Sequence, residues 1–154
     1  IVLGPFMQTD LQESFISRIN KLQNVTAITF DSHIEHLIEN ASGVVAMGGY
    51  NTFCEILSFD KPSLILPRTK PRLEQYIRAR RAQELGLLTN LNELDGRDPQ
   101  TMATALRQLT QQNRPSDVIL PGLLDGLKNI NRLVNRRLVR PRSQNLELVG
   151  QLTT

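Results

Sequence analysis

The chain has 154 residues, of which 40% are hydrophobic and 21% charged, with one cysteine and two histidines. That is enough for one folded domain with a core; it excludes a disulfide framework, leaves little for a zinc site, and holds no apolar run long enough to span a membrane. The net charge of +3 is uneven, because six basic residues and no acid lie from Lys128 to Arg142, leaving about −3 elsewhere; with only 5% aromatics this argues against a nucleic-acid binder.

In chain order, Ile1-Val2-Leu3 reads as a strand running into a Gly4-Pro5 turn. No signal peptide is expected from this reading, and Ile1 reads as a cut point. Asp10 to Leu22 carries Leu11, Phe15, Ile16, Ile19 and Leu22 at helical spacing. Val25 to Phe30 is a β-branched run and reads as a second strand. Ser32 with Glu35 has capping-box spacing for a short helix reaching about Asn40. Gly43 to Ala46 follows as a strand, Asn51 to Phe59 as a helix, and Ser63 to Leu66 as a fourth strand. Pro71 to Leu85 reads as a longer helix stopped by Gly86, with Leu87-Leu88 starting a short edge strand. Pro99 to Gln112 closes the series as a helix with Met102, Leu106 and Leu109 inward. Strands that alternate with helices and are apolar without period-two patterning predict an α/β fold: a parallel sheet covered on both faces.

Ligands of such sheets bind beyond the carboxyl ends of the strands. "MGGYNTFCE", Met47 to Glu55, stands at one of those ends. Gly48 and Gly49 let backbone approach a ligand closely, and a helix starting at about Asn51 or Thr52 points free N–H groups at the loop. Asn51 and Thr52 can donate to phosphate oxygens, and Glu55, three residues on, shares a face with Thr52 and can accept from ribose hydroxyls. The same spacing also fits a plain capping box, Thr52-x-x-Glu55.

The surrounding residues resemble the nucleotide-sugar site of GT-B glycosyltransferases, C-terminal half, in particular the lipid I N-acetylglucosaminyltransferases and the UDP-glycosyltransferases. The resemblance rests on an ordered series: Gly48-Gly49, Asn51-Thr52, Glu55, then Pro62, Pro67 and Glu74-Gln75, followed by "YIRARRAQELGL". Upstream, "VTAITFDSHIEHLIENASGVVAM" resembles the stretch that holds the base. It covers about residues 1 to 110.

The resemblance implies a Rossmann-like domain in which Gly48, Gly49, Asn51 and Thr52 hold the donor diphosphate. Glu55 binds ribose, Glu74 and Gln75 contact the donor sugar, and Phe30, Asp31 and Ser32 border the base. It implies no cofactor and no metal, with the nucleotide-sugar as substrate. Plant-type members carry a histidine where Met47 stands, so Arg68, Lys70 or Arg72 of the basic "RTKPRL" segment is expected to supply that charge. Asp31 replaces an apolar residue, which leaves the base open.

On this reading residues 1–120 form the donor-binding domain without its first strand, 121–140 a basic amphipathic helix, and 141–154 a flexible tail. Catalytic residues are expected in a missing N-terminal domain, so the fragment alone is expected to be inactive. Open strand edges invite a homodimer. The expected activity is transfer of a sugar from a nucleotide-sugar, of the UDP type, to an acceptor hydroxyl. The alternatives are an epimerase of the same fold and a non-catalytic donor-binding subunit acting with a partner chain. A cytoplasmic location is expected.

His33 and His36 lack nearby partners for a metal and read as surface helix residues. Cys54 reads as a small core residue rather than a nucleophile. Leu123, Leu127, Ile130, Val134 and Leu138 interleave with arginines at helical spacing. That helix either packs on its own protein or lies on an anionic membrane surface.

Overall fold

The structure is a computed structural model, and it describes residues 1–4, 7–31, 33–118, 120–122 and 125–138. The chain divides into two units, Ile1–Val118 and Ile119–Thr154. In the first unit the order is α1 (Thr9–Ile19), α2 (Ile34–Asn40), β1 (Val44–Ala46), α3 (Tyr50–Ser58), β2 (Ser63–Ile65), α4 (Glu74–Glu84), β3 (Thr89–Asn90), α5 (Glu93–Arg97) and α6 (Pro99–Leu109), then a 3-10 turn at Pro115–Asp117. The second unit contains α7 (Gly126–Leu138).

The sheet is parallel, in the order β1-β2-β3, as the Rossmann-like α/β expectation requires. Val44, Val45 and Ala46 face Ser63, Leu64 and Ile65, while Leu64 and Ile65 face Thr89 and Asn90. The ladder runs on past the strand ends, with the Leu66 N–H donating to the Ala46 carbonyl at 2.8 Å and the Leu91 N–H to that of Ile65 at 3.0 Å. All three residues of β2 are fully buried, which explains why its sequence shows no polar alternation.

α6 covers β2. Asp98 caps it, accepting from the Thr101 N–H at 2.8 Å and its hydroxyl at 2.6 Å, and Pro99 fills the first helical position. Leu109 and Ala105 of this helix pack with Leu64, and Leu66, Leu91 and Met102 surround them. The expected inward Leu106 is exposed instead; Ala105 takes the inward place.

Several other expectations shift. Ile1-Val2-Leu3 and Val25–Phe30 do not form extended strands: the two segments meet in one parallel bridge, Val2 to Ile28. Among the described residues no ladder joins that bridge to the three-stranded sheet, and no strand pairs with the outer edge of β1. Without neighbours on both edges, few backbone groups are satisfied and the pairing stops short. α1 ends at Ile19, and Leu11 and Leu22, placed on its apolar stripe, are exposed.

α4 begins only at Glu74, after a bend at Pro71 and Leu73. Its far end explains why Leu87-Leu88 does not start the edge strand. Gly86, at φ +75°, donates to the Gln83 carbonyl at 2.9 Å and Leu87 to that of Ala82 at 3.0 Å. This pair of bonds is the Schellman close of a helix. The Leu87 amide is therefore spent on α4; both leucines are buried, and the ladder starts at Thr89.

α5 was not expected. Asn92 caps it through the Leu94 and Asp95 N–H groups, both at 2.9 Å, and no apolar stripe announces it. α7 carries Leu127, Ile130 and Val134 exposed; Leu123 lies outside the described residues. Among the described residues no helix is long and apolar enough to cross a membrane.

Candidate functional site

The loop between β1 and α3 is built by two glycines with different jobs. Gly48 adopts φ +74°, a left-handed conformation that a Cβ disfavours, and an added Cβ would sit 2.8 Å from the Ile65 Cγ2. It must be glycine because it turns the chain directly over β2. Gly49 has an ordinary φ of −53°, and a Cβ there would meet nothing within 4 Å. It faces open space and lets something come close.

Gly49 is also the residue from which α3 starts, one position earlier than the sequence suggests. Its carbonyl accepts from the Phe53 N–H at 2.8 Å. No side chain caps this helix and no acid lies in its first turn. The N–H groups of Tyr50, Asn51 and Thr52 therefore have no helical acceptor, and among the described residues none takes another. Because Thr52 is already the third residue of α3, the capping-box reading of Thr52 and Glu55 fails. Asn51 is exposed and Thr52 and Glu55 are half-buried. None of these three side chains makes a hydrogen bond or ion pair among the described residues.

Two further elements close on the loop. From the segment after β2, Arg68 points its Nε at the Met47 sulfur, 3.3 Å away. Of the three cations expected to serve there, Arg68 is thus the one beside Met47. Its backbone N–H donates to the Gln75 Oε1 at 3.1 Å, which ties the basic segment to the first turn of α4. Glu74, the first residue of α4, is exposed; with Gln75, Arg68, Lys70, Pro71 and Arg72 it lines one shallow depression. So Gln75, Arg68 and Met47 come together at this loop.

A second contribution from α4 was missed in the sequence. Arg78, one turn into α4, donates from Nη1 to the Gly48 carbonyl at 2.9 Å. Its guanidinium carbon lies 5.4 Å from the centre of the Tyr50 ring and 5.8 Å from that of Phe53. The signal was present only as one arginine among several in "YIRARRAQELGL", and nothing in its spacing sets it apart.

The upstream group is less assembled. Phe30 is 70% exposed, and Asp31 turns back to accept the His33 N–H at 2.8 Å. Ser32 lies outside the described residues. α2, which follows, packs on α3. His36 lies on the exposed face of α2 beside Glu39, and the His33 and His36 rings stack at 6.3 Å. Among the described residues no three His, Cys, Asp or Glu side chains are grouped to hold a metal ion. Cys54 is a half-buried free thiol on α3.

A comparison with curated proteins finds no match. A comparison with protein families does: residues 3–116 match the family described as the glycosyltransferase family 28 C-terminal domain. The matched span runs from Leu3 through β1, the glycine loop, α3, β2, α4 and α6. It takes in every element that builds the loop, and the chain belongs to the glycosyltransferase family 28 C-terminal domain family.

Proposed function

We propose that this donor-binding domain takes a nucleotide-sugar of the UDP type, for transfer of its sugar to an acceptor hydroxyl. The observation that carries the reading is the state of α3. Its first three N–H groups have no acceptor, open space lies over Gly49, and one turn on the Glu55 carboxylate is half-buried without a partner. Free amides of a helix tip suit a diphosphate, and a carboxylate beside them suits the two hydroxyls of a ribose.

In this reading Gly48, Gly49, Asn51 and Thr52 cradle the diphosphate, and Arg68 supplies the cation next to Met47. As the glycosidic bond breaks, negative charge builds on the leaving diphosphate, and these fixed donors meet it without reorganising. Glu55 fixes the ribose, and Glu74 and Gln75 the donor sugar, so that the anomeric carbon is held in line for the acceptor. Phe30, Asp31 and Ser32 border the base. The acceptor and the catalytic base belong to an N-terminal domain, and charge on the diphosphate is handled by the protein's own donors rather than by a metal ion.

Calorimetric titration with UDP, UDP-N-acetylglucosamine, TDP and GDP, each with and without magnesium, tests this. The expected result is saturable binding of the uridine nucleotides, unchanged by magnesium and lost in Glu55→Ala. Binding that Glu55→Ala leaves intact sinks the ribose role, and failure of all four ligands sinks the reading.

A further inference from the structure

α4 carries three arginines, and they behave differently. Arg80 and Arg81 are exposed, and both pair with Glu84, at 3.2 and 3.1 Å. Arg78 is half-buried and has no carboxylate partner among the described residues. A charge withdrawn from water without an ion pair is costly, so its placement calls for a reason beyond solvation.

What it holds is one peptide group. The Gly48 carbonyl accepts from Arg78 Nη1, and the Tyr50 and Phe53 rings lie within cation–π range of the same guanidinium. In a trans peptide the carbonyl and the following N–H point in opposite directions. Fixing the Gly48 carbonyl toward α4 therefore turns the Gly49 N–H away from it. That N–H takes no acceptor among the described residues, and Gly49 is the position over which space is open. A glycine at φ +74° has neighbouring conformations of similar energy, so an unheld loop could rotate this peptide and present a carbonyl oxygen instead.

We propose that Arg78 is the positioning residue of this site: it locks the Gly48–Gly49 peptide in the orientation that offers the Gly49 N–H to a phosphate. The proposal rests on the donor-binding reading above. It assigns Arg78 an effect on the phosphate part of the ligand alone, exerted through the loop rather than by contact.

The test compares UDP with uridine, on the unaltered chain and on Arg78→Gln, Arg78→Lys and Glu55→Ala. Arg78→Gln is expected to weaken UDP about 10-fold or more, the change expected for one charge-assisted hydrogen bond, and to leave uridine unchanged. Arg78→Lys, which keeps a charged donor, is expected to recover part of that loss. Thermal melting of each variant checks that the fold survives. Equal losses for UDP and uridine, or no loss for either, overturn the positioning role while the donor site stands. If Glu55→Ala leaves UDP binding intact, or the unaltered chain binds no UDP, the donor reading itself falls and takes this inference with it.

Discussion

Two regions of the first unit share a composition and part ways in structure. β2 and the pair Ile1–Leu3 with Val25–Phe30 are all short, largely apolar runs. β2 has a strand on each edge and α6 over it, and its residues are fully buried. Val2 and Ile28 meet in a single bridge, with Val2 38%, Ile1 59% and Phe30 70% exposed. Three short hydrogen bonds hold that bridge, at 2.8, 2.8 and 2.7 Å. Composition makes a segment eligible for a strand; neighbours on both edges and a covering helix make it one. The glycine loop belongs to the supported region, because Gly48 rests on Ile65.

The largest effect should come from cutting into the supported region. Leu64 is fully buried in β2 against Ala105 and Leu109, so Leu64→Ala is expected to cost about 2–5 kcal/mol, loss of transfer energy plus a cavity. Val2→Ala at the bridge is expected to cost under about 1 kcal/mol, since much of that side chain already faces water. Urea unfolding of both variants measures the gap. Equal losses would mean that the bridge is as integral to the fold as the ladder, and the contrast would break.

The next effect separates the two glycines. Gly48→Ala must hold a Cβ at positive φ and press it against Ile65, at a cost of about 1–2 kcal/mol from the backbone alone. Gly49→Ala meets neither obstacle and is expected to leave the melting temperature within a degree or so of the unaltered chain. UDP binding should fall in both, in Gly48→Ala because the loop moves and in Gly49→Ala because a methyl group fills the space above it. A Gly49→Ala variant that binds UDP normally would place the phosphate elsewhere.

β1 and β2 were legible because they fall within short apolar runs with turn residues nearby. The loop was legible because Gly48-Gly49, Asn51-Thr52 and Glu55 are close in sequence. What escaped depends on backbone groups already spent or on distance along the chain. Leu87-Leu88 looks like a strand start, yet the Schellman bond takes the Leu87 amide. α3 starts at Tyr50 rather than Asn51 because Gly49 itself can lead into the helix. Arg78 reaches a carbonyl thirty positions away, and only the folded chain shows that contact. Phe30 and Asp31 were expected at the base, but Phe30 lies in water and Asp31 bonds to its own loop, so their grouping rests on resemblance alone.

The smallest effect is pH-dependent and sharpens the same contrast. Asp98 caps α6, and the Thr101 hydroxyl and N–H bind its ionised form, which holds the carboxyl below its ordinary value of 3.8. A group whose pKa is lowered on folding adds stability above its unfolded value and loses it as pH falls through the folded one. The cap is therefore complete at neutral pH and fades from about pH 4 downward. Asp98→Asn keeps an acceptor oxygen and removes the titration, so it should change little at neutral pH and flatten the acid limb of melting temperature against pH. Amide exchange localises the loss. α6 lies on β2, so on acidification the Leu66 N–H, bonded to Ala46, should lose protection in the unaltered chain and less so in Asp98→Asn. The Leu3 N–H, bonded to Ile28 in the bridge, should respond alike in both. If the Leu3 amide follows the Asp98 charge as closely as the Leu66 amide does, the two regions open as one cooperative unit, and what separates them is exposure rather than independence.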